Sequence, residues 1–196
     1  VGVEFAELFE DRQLSNDCKA AEKKLVKAAS KVYKKFLASC PAPDAPGSKQ
    51  VTALMTITGL IDAPKADKEF LSINGAQGFS TFYGYYMLEA MAMAGNYQGA
   101  LDVIREYWGA MIDLGATSFW EDFDINWIPN AAPIDELVPE GKKDIHGDCG
   151  AYCYVGFRHS LCHGWASGPT SWLSRHILGV EVIEPGCRQV RITPHL

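Results

Sequence analysis

The sequence contains no apolar run of the roughly 20 residues that a membrane-spanning helix needs. Its start, Val1-Gly2-Val3-Glu4, has neither an initiator methionine nor a signal-peptide pattern, so we expect a chain cut out of a longer polypeptide. A Gly-x-Gly-x-x-Gly loop before a helix and a Gly-x-Ser-x-Gly turn are both missing. These absences argue against a membrane span, a phosphate-binding loop and a serine hydrolase.

Acidic residues outnumber basic ones, and the cysteines are too few for a disulfide scaffold. The formal net charge is −6, which argues against nucleic acid as a partner because phosphate binding needs a clustered positive surface. Six cysteines in 196 residues do not form a disulfide-scaffold composition, and their pairing cannot be read from the sequence. The compartment stays open, with the periplasm or the cell exterior favoured over the cytoplasm. Seven lysines alternate with apolar residues in one predicted helix, which indicates a solvated helix face: Lys19, Lys23, Lys24, Lys27, Lys31, Lys34 and Lys35.

The hydrophobic pattern predicts a mostly helical chain that ends in two short strands. Helices are predicted over residues 15–39, 50–61, 80–94, 97–114 and 160–178, and strands over 180–183 and 189–192. A capping signal at Ser15-Asn16-Asp17 opens the first helix, and Gly95-Asn96 joins the third and fourth helices into an antiparallel hairpin. Residues 116–159 lack periodicity and form an unusually long loop, which is commonly a functional or a disordered feature.

Residues 117–124 hold three carboxylates, including Glu121, among aromatic side chains. Aromatic faces beside carboxylates suit sugars, whose C–H faces stack on rings while their hydroxyls bond to acidic groups. Hydrolysis of a glycoside with inversion needs one carboxylic acid and one carboxylate, set about 6.5 to 9.5 Å apart. The alternative interpretation is that Glu121 and Asp122 only cap or pair at a helix end, with Trp120 in the core.

A second group of residues, 160–169, places His163 and Trp165 among glycines near the predicted start of the last helix. A neutral histidine there can bond to a ligand hydroxyl, although a buried and satisfied histidine is an equal alternative. A structural zinc site is a further alternative, but no Cys-x₂-Cys pair is present and we expect no metal. The residues that would supply its ligands are His146, Asp148, Cys149, Cys153, His159, Cys162 and His163.

Residues 79–196 resemble the end of the catalytic barrel of bacterial α-L-rhamnosidases of the glycoside hydrolase family 78 type. The resemblance rests on residues 115–121 (Gly-Ala-Thr-Ser-Phe-Trp-Glu), residues 160–165 (Ser-Leu-Cys-His-Gly-Trp) and the closing stretch 178–196. It implies an all-α fold, a partial (α/α)₆ toroid of helical hairpins with a short β segment at the C-terminus. Residues 1–178 would form the C-terminal part of that six-hairpin barrel, and residues 179–196 would begin a β-sandwich domain.

The resemblance also implies an activity, the inverting release of terminal α-L-rhamnose from glycosides or polysaccharides. Glu121 maps onto the general base and His163 onto a sugar contact, and Trp120 and Trp165 are expected beside them in the substrate site. Ser118 stands where threonine is common in the family. The family's general acid lies upstream of Val1, so we expect the fragment alone to be inactive. The expected partners are a rhamnose-containing carbohydrate and the rest of the parent chain. We expect no nucleic acid partner, no membrane partner and no cofactor.

Two other functions remain open. One is a different six-hairpin glycosidase or a sugar lyase on the same toroid, since aromatic-flanked carboxylates serve many sugars. The other is a non-catalytic carbohydrate-binding helical domain. In each case we expect Glu121, Trp120, His163 and Trp165 to converge on one concave surface.

Overall fold

A computed structural model describes residues 2–39, 42–43, 45, 47–145, 147–149 and 159–195. The described chain is mostly helical with little strand, which confirms the predicted helical class, while a toroid remains a prediction. The chain divides into two compact units, Val1–Pro41 and Ala42–Leu196. Among the helices of the described residues, none combines the length and the apolar character that a membrane crossing needs.

The first unit consists of helix α1 (Gly2–Leu8) and helix α2 (Arg12–Ser39), which pack on each other. Helix α2 begins before the predicted signal at Ser15-Asn16-Asp17, because Asp11 caps it: the Leu14 amide donates to Asp11 Oδ1 at 2.9 Å. The lysines of α2 are exposed, as a solvated face predicts. Leu25 and Val32, two of the apolar residues that alternate with these lysines, are exposed as well.

In the second unit, helix α5 (Gly84–Met93) lies at the centre and packs against its helical neighbours. Its interior side chains, such as Met87, Leu88 and Met91, are fully buried, as expected for a helix that is apolar on most of its surface. The helices around it are α3 (Ser48–Ile57), α4 (Ala63–Ala66, continued by a π-helical turn Asp67–Leu71), α6 (Tyr97–Asp113) and α7 (Gly168–Trp172, continued by a π-helical turn Leu173–Ile177).

The predicted connection between α5 and α6 is confirmed. Gly95 has a φ of 77°, which favours glycine, and the Asn96 side chain caps α6 by accepting from the Gly99 amide at 3.0 Å. Asn96 also donates to Asp67 Oδ2 at 2.9 Å, which ties the turn to the end of α4. A single asparagine therefore sets both the start of α6 and the position of its turn.

The predicted helix over residues 160–178 begins only at Gly168, because residues 159–167 form an irregular segment and one short 3₁₀ turn, Gly164–Ala166. The two predicted strands are confirmed as an antiparallel pair, β3 (Val180–Val182) and β4 (Val190–Ile192). The β-sandwich domain that residues 179–196 would begin remains a prediction. The long loop contains a 3₁₀ turn, Ile125–Trp127, and a two-residue parallel pair, β1 (Ala131–Ala132) and β2 (Lys143–Asp144).

The packing of α7 on α5 depends on Gly168, since a Cβ there would lie 2.6 Å from the Cβ of Tyr85. We expect Gly168→Ala to lower the free energy of unfolding by about 1 to 3 kcal/mol through overpacking. Gly109→Ala, in α6, is the matched control because its added Cβ meets no atom within 4 Å; it should leave stability unchanged or raise it by up to about 1 kcal/mol. Urea unfolding measures both, and equal midpoints for the two variants would contradict the packing argument.

Candidate active site

The two sequence motifs meet through their backbones. The Glu121 amide donates to the Ser160 carbonyl at 2.8 Å, and the His163 amide donates to the Phe119 carbonyl at 2.7 Å. Both stretches are irregular, so these bonds satisfy backbone groups that no helix or strand would otherwise pair. Glu121 and His163 therefore lie close together, although many residues separate them in the chain, and a shared concave surface stays a prediction.

The Glu121 carboxylate is held at the edge of this pairing. The Ser160 amide donates to Glu121 Oε2 at 2.7 Å, a charge-assisted bond that fixes the orientation of the side chain. His163 Nδ1 lies 4.0 Å from the same oxygen, and the Glu121 and His163 side chains are 21% and 34% exposed. A carboxylate and an imidazole thus lie together, partly buried and still open to solvent.

Trp165 is the third member of the site. Its indole Nε1 donates to the Glu121 carbonyl at 2.6 Å, and its ring centroid lies 4.3 Å from that of His163. The Thr81 hydroxyl donates to the same carbonyl at 2.6 Å, so the backbone of Glu121 is fixed from two sides. Sequence reasoning missed Thr81, because a contact 40 residues away leaves no local pattern.

Trp120 does not share this surface. Its side chain is 0% exposed and lies in the core, with its ring centroid 5.9 Å from that of Phe123. The Glu121 side chain, next to it in the chain, is partly exposed instead. Glu121, His163 and Trp165 therefore lie together without Trp120, whose place in the core agrees with that one part of the alternative interpretation.

Tyr107 of α6 connects the core to the acidic segment, residues 117–124. The Tyr107 hydroxyl donates to the Phe123 carbonyl, and the two rings pack edge to face at 5.2 Å. Burial, with smaller contributions from Asp122 and Asp124, raises the pKa of Tyr107 well above its ordinary value. This hydrogen bond fixes the segment that directly follows Glu121.

A cavity of about 910 Å³ lies elsewhere and contains none of the four predicted residues. Two of its ionisable lining groups have partners: His176 Nε2 lies 2.8 Å from Glu89 Oε1, and Glu181 Oε2 accepts from Arg191 at 3.1 Å. Volume alone does not make a reactive site, whereas Glu121 combines a fixed carboxylate with an adjacent imidazole and indole. We therefore place the candidate site at Glu121.

The proposed zinc ligands do not assemble within the described residues. His146 and Cys153 lie outside that part of the chain. Over the rest, the structure brings no group of three or more His, Cys, Asp or Glu side chains together as a metal site. Cys162 Sγ instead accepts a hydrogen bond from the Ser118 hydroxyl at 3.4 Å, and His159 is buried beside Trp127, with ring centroids 6.1 Å apart.

No family model matches the chain, and comparisons with curated proteins and with solved structures found no match either. The likeness to α-L-rhamnosidases consequently rests on the motifs themselves. Its assignment of roles to Glu121, His163, Trp120 and Trp165 stays a prediction.

Removing the Tyr107 hydroxyl should loosen the acidic segment. We expect Tyr107→Phe to lower the free energy of unfolding at pH 7 by about 1 to 3 kcal/mol, because the buried Phe123 carbonyl loses its donor. The raised pKa adds a pH dependence: the stability that the phenol contributes is complete below the unfolded pKa of about 10 and declines as pH rises above it.

The loss of unfolding free energy caused by Tyr107→Phe, measured by urea unfolding, should therefore be smaller at a pH of about 10.5 than at pH 7. Tyr83→Phe, which changes an exposed tyrosine, is the control and should follow the unmodified protein at both pH values. A Tyr107→Phe deficit that is the same at both would rule out the proposed titration.

Proposed function

We propose that the chain contributes the general base of an inverting glycoside hydrolase that releases terminal α-L-rhamnose, with Glu121 as that base. The observation that supports this most is the Glu121 carboxylate, held by the Ser160 amide at 2.7 Å and partly exposed beside His163 and Trp165. A base needs a fixed carboxylate that water can reach. A sugar site needs an aromatic face and hydrogen-bonding groups close by.

The proposed chemistry uses the two carboxylate oxygens differently. The Ser160 amide binds Oε2, and Oε1 is the oxygen that orients the attacking water. Glu121 takes a proton from that water as its oxygen bonds to the anomeric carbon, while the bond to the leaving oxygen breaks on the opposite face and a general acid protonates that oxygen. The configuration at the anomeric carbon is inverted.

His163 and Trp165 have separate roles in this proposal. The His163 imidazole is partly exposed and lies close to Glu121, where it can hydrogen-bond a sugar hydroxyl. The indole N–H of Trp165 is already bound to the Glu121 carbonyl, so the ring face is what Trp165 offers a sugar. The proposal also requires a general acid about 6.5 to 9.5 Å from the base, which the resemblance assigns to a residue outside this sequence.

The alternative function is that of a binding domain, which binds a sugar without turnover. It draws on the same observation, because an imidazole and an indole beside a carboxylate bind a sugar without needing a second carboxyl group. Calorimetry with rhamnose tests binding, and a hydrolysis assay with rhamnosides, glucosides and glucuronides tests turnover and sugar preference. Heat of binding with no hydrolysis of any glycoside, in a polypeptide that includes the complete barrel, would favour the binding domain.

The base is tested by Glu121→Gln in that complete polypeptide. Glutamine keeps an oxygen for the Ser160 amide but has no basicity, so we expect turnover of an α-L-rhamnoside to fall about 10² to 10⁴-fold. Affinity for the substrate should change far less. Glu136→Gln, which changes an exposed carboxylate in the long loop, is the matched control and should retain full turnover.

Added azide separates loss of the base from a general loss of structure. A small anion needs no deprotonation, so Glu121→Gln with azide should release a rhamnosyl azide of β configuration, the product of attack on the opposite face. Near-normal turnover without azide would remove Glu121 from this role. An azide product of α configuration would contradict single-step inversion.

A further inference from the structure

The cavity of about 910 Å³ that lies away from Glu121 has polar walls from three parts of the second unit. Tyr85 comes from α5, residues 171–176 come from α7 and its π-helical turn, and residues 179–182, Thr193 and His195 come from the β3–β4 pair and its flanks. Its volume falls within the roughly 300 to 1,000 Å³ that small-molecule sites occupy. We call it the polar cavity.

The His195 imidazole in the polar cavity is held in one orientation. Its Nδ1 lies 2.6 Å from the His176 carbonyl oxygen, and because a carbonyl oxygen only accepts hydrogen bonds, Nδ1 carries the hydrogen. The ring also stacks on Tyr97, with centroids 4.1 Å apart and an interplanar angle of 18°, and the His195 amide donates to the Ile177 carbonyl at 3.0 Å. In the neutral imidazole, Nε2 is therefore a fixed hydrogen-bond acceptor.

Two serine hydroxyls of the polar cavity already donate their hydrogens to the backbone. Ser171 donates to the Gly168 carbonyl at 3.0 Å, and Ser174 donates to the Thr170 carbonyl at 3.2 Å. A hydroxyl has a single hydrogen, so both serine oxygens are left as acceptors. The Glu181 carboxylate is also an acceptor. The lining is consequently rich in groups that need a hydrogen-bond donor from a ligand.

The charges in and around the polar cavity are balanced. Arg175 Nη1 lies 3.8 Å from Glu89, which also binds His176, and Glu181 is paired with Arg191. Each carboxylate thus has a basic group beside it, so a ligand of either charge meets repulsion as well as attraction. The Arg175 side chain is 65% exposed and can still donate to a ligand oxygen. Such a lining suits a neutral molecule with several hydroxyl groups.

We propose that the polar cavity binds a neutral polyhydroxylated molecule, a sugar or an open-chain polyol. Its hydroxyl groups donate to His195 Nε2 and to the oxygens of Ser171 and Ser174, and one of its oxygens accepts from Arg175. Because the imidazole is already oriented, little ordering cost accompanies binding. Glu121 does not line the polar cavity, so this inference is independent of the proposed catalytic function.

Titration of the 196-residue chain, followed by the NMR shifts of its backbone amides, tests this site. D-glucose, D-glucuronate and D-glucosamine share one ring and differ in charge, and sorbitol offers similar hydroxyls in an open chain. We expect the neutral compounds to shift the amides of residues 171–176 and 193–195 and to bind about three- to tenfold more tightly than the charged ones. A response to glucose without sorbitol indicates a sugar site, and the reverse indicates a polyol site. Shifts at Glu121 and His163 report the candidate active site separately.

Two variants remove acceptors from the polar cavity. Ser174→Ala removes a hydroxyl, and His195→Phe removes the imidazole nitrogens but keeps a ring against Tyr97. Each should weaken binding of the neutral compounds about three- to tenfold. Thr58→Ala is the matched control, because the Thr58 hydroxyl also donates to the carbonyl four residues earlier, at 2.9 Å, yet lies outside the polar cavity. It should leave the affinity unchanged.

Circular dichroism checks that every variant is folded, and Ser171→Ala replaces His195→Phe if that variant is not. Tighter binding of glucuronate or glucosamine than of both neutral compounds would overturn the proposed ligand class. Neutral compounds that bind equally well to the cavity variants and to the unmodified chain would overturn the site. Amide shifts at residues 171–176 and 193–195 with none of the four compounds would do the same. The role of Glu121 is decided apart from these results, by the azide experiment.

Discussion

The backbone hydrogen bonds between residues 119–121 and 160–163 are the constraint on which the candidate site depends. They join the two ends of the long loop. Closing a loop costs chain entropy, and the contacts of only a few residues must offset that cost here. The Ser160 amide adds a bond to the Glu121 side chain, so the same crossing that closes the loop also orients the carboxylate. Loop closure and site assembly are therefore one event.

The core stabilises these backbone contacts because the acidic segment, residues 117–124, has buried side chains on one side and an exposed carboxylate on the other. Trp120 and Phe123 point inward and are buried with Tyr107, while Glu121 lies between them and points outward. Burial of the aromatic rings stabilises the segment by roughly 1.5 to 3 kcal/mol for each large side chain. The carboxylate is consequently positioned by apolar packing that it does not itself take part in.

Local patterns predicted the elements that local interactions specify. The bounds of α6 agree closely because its apolar repeat is complete and Asn96 caps it, and the β3–β4 pair was predicted from two short apolar runs around a turn. The last helix was predicted too long because residues 160–163 have an apolar content compatible with a helix, yet their backbone groups bond to residues 119–121 instead. Thr81 and Phe82 were missed for the same reason, since their partners, Glu121 and Trp165, are distant in sequence.

Trp165 both positions the backbone of Glu121 and offers its ring to a ligand at this surface. Its N–H fixes the carbonyl of Glu121, and its ring contacts His163 on one side and Phe82 on the other. Because the indole donates to backbone rather than to a ligand, its ring plane is set before any sugar arrives, which lowers the ordering cost of binding. Phenylalanine could replace the ring face but not the donor, and the Glu121 carbonyl would then keep only the Thr81 hydroxyl. In the proposed enzyme, a change at Trp165 would therefore alter the position of the base and the ring face beside His163 together, so the contribution of the base must be measured at Glu121 itself.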